Sequence, residues 1–168
     1  MKPDAIIIHH SLSRDREAHD WDAIRRFHTS WRFAGEIITA EQAHKFASEG
    51  KRVEAPWSDI GYHFGIELVE TGYMVCTGRA ENMAGAHCTQ QAMNNHSLGV
   101  CFVGNFDLGP VPKEQWEKGA ELVARLCIRH LIKPPRIFGH RDFAPYKSCP
   151  GTYFVMEQFR EDVARFLL

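Results

Sequence analysis

Apolar positions first crowd together at residues 5–8, AIII, with no polar position between them, and the run stops at His9, His10 and Ser11. A short β-branched run without alternation predicts a strand covered on both faces. After Asp20 the period changes. Trp21, Ile24, Phe27 and Trp31 share one side of a helical repeat, so Asp20 is expected to cap a helix reaching about Trp31. Thr39 with Gln42 makes a capping box and Gly50 a stop, which predicts a short helix over 40–49 and a loop over 50–59. Residues 62–69, YHFGIELV, and 73–77, YMVCT, flank Glu70-Thr71-Gly72 and predict a hairpin. Residues 97–104, SLGVCFVG, predict another apolar strand. Pro112 suits the first turn of a helix running to about Leu131, with Trp116, Ala120, Val123, Cys127 and Leu131 toward the core, and Pro134-Pro135 ends it. Residues 136–138, RIF, predict a short strand that delivers Gly139 and His140, and residues 152–168 a helix with Phe159, Val163 and Phe166 inward. Helices interleave with strands. The expected fold is α/β, a single domain over residues 1–168 with a central mixed β-sheet flanked by helices on both faces.

Charge and composition narrow the function classes. Lys plus Arg is 20 and Asp plus Glu is 21 in 168 residues, a net charge of −1, which argues against nucleic-acid binding by bulk charge. A chain of this size buries roughly 70% of its unfolded surface, so it needs neither disulfide nor metal merely to fold. The five cysteines are odd in number and contain no C-x-x-C pair, so they are expected to be reduced. Cys76, Cys88, Cys101 and Cys127 lie among apolar or small residues and read as core hydrophobes. No apolar run approaches the ~18 residues that span a bilayer, and MKPDAIII reads as a strand rather than a signal peptide. The expectation is a protein made in the cytoplasm, without a membrane partner.

The ten histidines and the remaining cysteine carry the chemistry. The stretch HRDFAPYKSCPG, residues 140–151, is too rich in proline for a helix and too irregular for a strand, yet it holds an imidazole, a cation and a thiol. His9 and His140 follow strands, where functional groups of helix-covered sheets collect. Cys149 comes nine residues after His140, across a loop stiffened by Pro145 and Pro150. Two imidazoles and one thiolate suit zinc, and three protein ligands keep a fourth position for water. The bland alternatives are strand-end histidines that only hydrogen-bond and an inert cysteine before proline. His10 and His87 compete as ligands. Neighbours on a strand point to opposite faces, so only one of His9 and His10 should reach a metal, and the pattern does not say which.

The segments DAIIIHHS, GYHFGIE, GAHC followed by NNHSLGVCFVGNF, and GHRDFAPYKSCPG occur in that order over most of the chain. Together they resemble the zinc-dependent N-acetylmuramoyl-L-alanine amidases of short phage endolysins and animal peptidoglycan-recognition proteins. The resemblance implies zinc (Zn2+) in a surface groove, held by His9, His140 and Cys149, with Tyr62 and Lys147 as the catalytic pair. It implies peptidoglycan or a muropeptide as substrate, a monomer, and a phage or prophage lytic enzyme that reaches the cell wall once the membrane is permeabilised. His87 and Asn105 are candidates for the substrate groove, and His63, across the strand from Tyr62, is expected to be structural. Two rivals are a recognition module that binds without cleaving, which commonly lacks the cysteine, and the cytoplasmic muropeptide-recycling amidases, which carry aspartate at the third ligand. A cysteine hydrolase using Cys149 and His140 directly is a further rival, in which His9 would be idle. The stretch between Trp31 and Gly61 is longer than in the smallest phage enzymes and is expected to be an added surface helix rather than a groove wall.

Overall fold

The computed structural model describes residues 1–13 and 20–168. Its elements in chain order are β1 (Ala5–His10), α1 (Trp21–His28), β2 (Trp31–Phe33), β3 (Glu36–Ile38), α2 (Ala40–Ser48), β4 (Phe64–Val69), β5 (Gly72–Thr77), β6 (Ser97–Phe102), α3 (Lys113–His130), β7 (Ile137–Gly139) and α4 (Met156–Arg165). Short 3-10 turns at Gln90–Asn95, Pro134–Arg136 and His140–Asp142 join them. Among the described residues, five strands form one sheet in the order β5-β4-β6-β1-β7. β1 runs parallel to β6 and β7, β6 parallel to β4, and β4 antiparallel to β5, so the sheet is mixed as expected.

All six residues of β1 are buried, which is why the run carries no alternation. Ile6 and Ile8, with Leu98, Val100 and Phe102 of β6, meet Ala120, Val123 and Cys127 of α3 and Phe159 and Val163 of α4. On the opposite face Ala5 and Ile7 pack with Cys88 and Met93, and Trp21 of α1 packs with Ile60 and Cys101. The two-residue period therefore settles the histidine pair. His10 shares the face of Ile6 and Ile8, its Nδ1 accepting the Phe106 N–H at 3.2 Å. His9 shares the face of Ala5 and Ile7.

Several boundaries differ from expectation for local reasons. Asp20 does cap α1, accepting the Ala23 N–H at 2.6 Å, but the helix stops at His28. Thr29 turns its hydroxyl back to the Arg25 carbonyl at 2.9 Å, and Trp31 starts a strand instead of a last helical turn. The antiparallel pair β2–β3 closes through Ala34 and Gly35, both at positive φ (52° and 86°), as a two-residue hairpin turn requires. The Thr39–Gln42 capping box forms as read and starts α2. Leu131, expected inside, is 89% exposed, because it takes the left-handed conformation that ends α3 and leaves the helical face. α4 begins only at Met156, since the Gly151 and Phe154 carbonyls are taken by the Arg141 guanidinium. Phe166, also expected inside, follows the last residue of α4 and lines an open groove against α3, half exposed. All five cysteines are free. Among the described residues no helix is long and apolar enough to cross a membrane.

Candidate metal centre

β1 and β7 are neighbours in register, Ile8 beside Gly139, so the residues that follow them emerge side by side. The His9 and His140 rings lie 4.6 Å apart between centroids. Cys149 is returned to them by Arg141, which sequence reading did not single out. Its backbone N–H donates to the Cys149 carbonyl at 2.7 Å. Its guanidinium donates to the carbonyls of Ser148, Gly151 and Phe154 at 3.2, 2.6 and 2.7 Å. Asp107 secures the far side of the loop, accepting from the Ser148 hydroxyl at 2.6 Å and from the Thr152 N–H and hydroxyl at 2.7 and 2.8 Å. The signal for Arg141 is its place beside His140. Asp107 has no local signal, because it is brought there by the turn after β6.

The result is a compact donor set. One ligand atom from each of His9, His140 and Cys149 lies within 4.8 Å of the other two, and all three residues are buried. His9 Nδ1 and Cys149 Sγ stand 3.7 Å apart. Tetrahedral nitrogen and sulfur ligands on zinc lie roughly 3.3–3.8 Å from one another, so this pair already has the spacing. His10, the competing ligand, points to the other sheet face.

Burial sets the protonation of the group. It holds His9 well below the ordinary imidazole value, helped by the nearby His87, and it lowers His140 to about 4, helped by the Lys147 charge. Both rings are therefore neutral donors near pH 7. Burial pushes the Cys149 thiol up to about 11, against the pull of a hydrogen bond from the His10 backbone and of the Lys147 charge. A divalent cation would displace that proton and resolve the burial cost of the thiolate. The donor set fits zinc.

The group lines an open cleft of about 470 Å3 together with Ser11, His28, Trp57, Tyr62, His87, Tyr146 and Lys147. Tyr62 precedes β4 rather than lying within it, and its ring is 5.1 Å from that of His9. Burial of its hydroxyl, with the Cys101 thiol nearby, raises the phenol well above its ordinary value. Lys147 is exposed at the cleft, its Nζ 5.9 Å from the centre of the Tyr146 ring. His63 is fully buried, with Nδ1 accepting the Gly99 N–H at 2.9 Å and Nε2 donating to the Met83 carbonyl at 3.0 Å. Asn105 is not among the residues that line the cleft, and its side chain accepts the Asp107 N–H at 3.1 Å. A larger groove, about 760 Å3, lies between α3 and α4, but its lining holds neither imidazole nor thiol.

The stretch between Trp31 and Gly61 contributes Trp57 to the cleft. Arg32, 2% exposed, donates to the Phe27 and His28 carbonyls at 2.7 and 2.8 Å and to Glu54 at 3.2 Å. Its guanidinium lies between the Phe27 and Trp57 rings, 5.1 and 4.9 Å from their centroids. Trp57 in turn packs on His28 at 4.6 Å. The expectation of a plain surface helix holds for α2 but not for Trp57, which the hairpin and its arginine bring to the cleft.

A family profile described as N-acetylmuramoyl-L-alanine amidase matches residues 1–152. Peptidoglycan-recognition protein LB of Drosophila melanogaster is 33% identical over 101 residues, covering 60% of this chain and 41% of that protein. The endolysin of Klebsiella phage KP32 is 30% identical over 101 residues, covering 58% of this chain and 63% of that protein. The chain thus spans less than two thirds of the length of these curated relatives. Among solved structures, the N-acetylmuramoyl-L-alanine amidase LysC from Clostridium intestinale URNW shares the fold, with a TM-score of 0.66 over 98% of this chain and 87% of that one at 22% identity. A Drosophila PGRP-LB mutant in complex with tracheal cytotoxin gives 0.61 over 94% and 80% at 26% identity.

Proposed function

Since this chain belongs to the N-acetylmuramoyl-L-alanine amidase family, we propose that it is a zinc-dependent hydrolase cleaving the amide between N-acetylmuramic acid and L-alanine in peptidoglycan or muropeptides. The observation that carries the reading is the buried His9–His140–Cys149 donor set at the base of a cleft that also holds Tyr62 and Lys147. The similarity to a phage endolysin favours a phage or prophage lytic role, acting on the cell wall.

His9, His140 and Cys149 would hold a zinc ion, which would supply Lewis acidity toward water and the scissile carbonyl. The protein's own groups do the rest. Net hydrolysis breaks one O–H bond of water and the carbon–nitrogen bond, forms a carbon–oxygen bond and places the water's proton on the departing alanine nitrogen. Negative charge develops on the former carbonyl oxygen, and the Lys147 ammonium is the cation at the cleft that meets it. Tyr62 keeps its proton near neutral pH, because burial holds the phenol above its ordinary range. It therefore serves as a donor, to the carbonyl oxygen or the leaving nitrogen, and not as the base. His87 lies beside His9 at the wall of the cleft, and Asn105 stands on the neighbouring loop outside the cleft lining.

The test is the appearance of free L-alanine amino termini when the protein is incubated with purified cell walls, read by mass spectrometry. Chelation should abolish release and added zinc should restore it. Cys149→Ser should lose zinc and nearly all release, whereas full activity in that variant would remove Cys149 from the ligand set. Binding to cell walls with no release would favour the non-cleaving recognition module.

A further inference from the structure

We infer that His87 is a positioning residue that selects the tautomer and fixes the ring orientation of His9, through a hydrogen-bonded chain from the Ser97 carbonyl to His87 to His9. The inference rests on the reading of His9 as a metal ligand, and it assigns His87 a role other than substrate contact.

The chain of polarity leaves little choice. His87 Nε2 lies 3.4 Å from the Ser97 carbonyl oxygen, which can only accept, so Nε2 carries the hydrogen. In a neutral ring Nδ1 is then the acceptor. It faces His9 Nε2 at 3.1 Å, so His9 Nε2 carries the hydrogen and donates it. That leaves the lone pair of His9 on Nδ1, the atom 3.7 Å from Cys149 Sγ. The imidazole is thus aimed at the donor set before any cation arrives. The same bond removes the alternative in which His9 turns over and presents Nε2. Both His87 nitrogens are committed to the protein interior, and the residue is buried, so no ring nitrogen is left to meet a substrate.

The position of His87 is itself built. A Cβ at Gly85 would come within 2.4 Å of its ring and one at Gly99 within 2.5 Å, so the imidazole lies in a slot that exists because both residues lack side chains. His63 closes the slot edge-on at 5.7 Å between centroids and is pinned by the Gly99 N–H. The backbone is anchored by Asn94, whose Oδ1 accepts the N–H groups of His87 and Cys88 at 2.8 and 2.7 Å. The Asn94 carbonyl accepts the Gly85 N–H at 2.8 Å, which closes the loop on itself. A residue that only filled space would need neither the directed pair of bonds nor the clamp.

The experiment compares wild type with His87→Asn and His87→Leu, similar in size. Asparagine keeps an acceptor where Nδ1 stands; leucine does not. Zinc affinity is measured by competition with a chromophoric chelator, and the ring tautomers by 15N NMR of the histidines. The expected result is a wild-type His9 with hydrogen on Nε2, a 10–100-fold loss of zinc affinity in His87→Leu, and recovery to within about threefold of wild type in His87→Asn. Unchanged zinc affinity in a folded His87→Leu protein would overturn the inference, as would a loss confined to KM. Should His87→Leu fail to fold, the wild-type spectrum alone decides, because a hydrogen on His87 Nδ1 contradicts the chain. If wild type binds no zinc, the metal-centre reading of the preceding section fails as well, and that result is separate from any variant effect.

Discussion

At the scale of single residues, the cleft divides its labour between groups that would hold a cation and groups that would respond to charge. Lys147 is exposed, with its ammonium 5.9 Å from the centre of the Tyr146 ring, so its removal should leave the fold and the placement of the three ligands intact while withdrawing a positive charge that acts on them. Lys147→Ala is expected to retain wild-type zinc content and to lose about 10²–10³ in kcat, the magnitude of deleting one oxyanion donor. Metal analysis beside steady-state kinetics would show it, and an unchanged kcat would leave Lys147 an ordinary solvated charge. Arg141 acts differently, since among the described residues its guanidinium donates to backbone carbonyls. Its three carbonyl bonds hold the loop that returns Cys149, and Arg141→Ala should lower folding stability by about 2 kcal/mol in urea titrations. Zinc affinity should fall with it, while a variant with wild-type affinity would show that the loop closes without the guanidinium. Both residues stand in one twelve-residue stretch that could be read as chemically crowded. The direction of the Arg141 side chain could not be read, because its partners are carbonyl oxygens, which every residue carries.

At the scale of elements, β1 and the capping box of α2 were legible because each is decided locally, one by an unbroken β-branched run and the other by two side chains three positions apart. The β2–β3 hairpin was not. Trp31 falls at a helical interval from Phe27 and reads as a continuation of α1, although in the structure Ala34 and Gly35 turn the chain into a hairpin. The hairpin matters because Arg32 fastens it to the end of α1 and carries Trp57 to the cleft. Trp57 offers an apolar ring face at the entrance, backed by His28 and Arg32, and such a surface suits a sugar ring or a stem-peptide side chain. Trp57→Ala is expected to raise KM for muropeptides about tenfold and to leave kcat within about twofold, the pattern of lost binding that ground and transition states share. Progress curves on a soluble muropeptide would show a kcat loss instead if Trp57 served the chemical step.

At the scale of the whole molecule, the buried imidazoles bind stability to pH. Burial is the leading cause in each case: His10, His28 and His140 sit near 4 and His87 near 3, against 6.5 for an ordinary imidazole. The unfolded chain therefore takes up protons first as pH falls. The stability these groups contribute is complete above about pH 6.5 and is lost as pH falls, through about 4 for His10, His28 and His140 and about 3 for His87. One unit on one group is about 1.4 kcal/mol, so several such groups can remove most of the stability of a marginal domain. Urea melts of the metal-free protein at pH 7.5, 6 and 5 should show a steadily falling midpoint. A constant midpoint would mean that the rings titrate alike in the folded and unfolded chains. Zinc should deepen the dependence, since its ligands must be deprotonated to bind.

The amino-acid sequence by itself determined which stretches become buried strands and helices, and therefore a mixed sheet with helices on both faces, because apolar period and capping chemistry act over a few residues. It also placed an imidazole at the end of two strands and a thiol in a constrained loop. Only the tertiary structure decided that His9 rather than His10 faces the donor set. The parity of β1 sends the two rings to opposite sides of the sheet, and which side holds β7's loop depends on strand order, which no local pattern encodes. The hydrogen bond from His9 to His87, 78 positions away, and the hold of Arg141 on its loop belong to the same class. They are contacts between groups whose chemistry is ordinary in isolation and becomes specific once packing has removed the other partners.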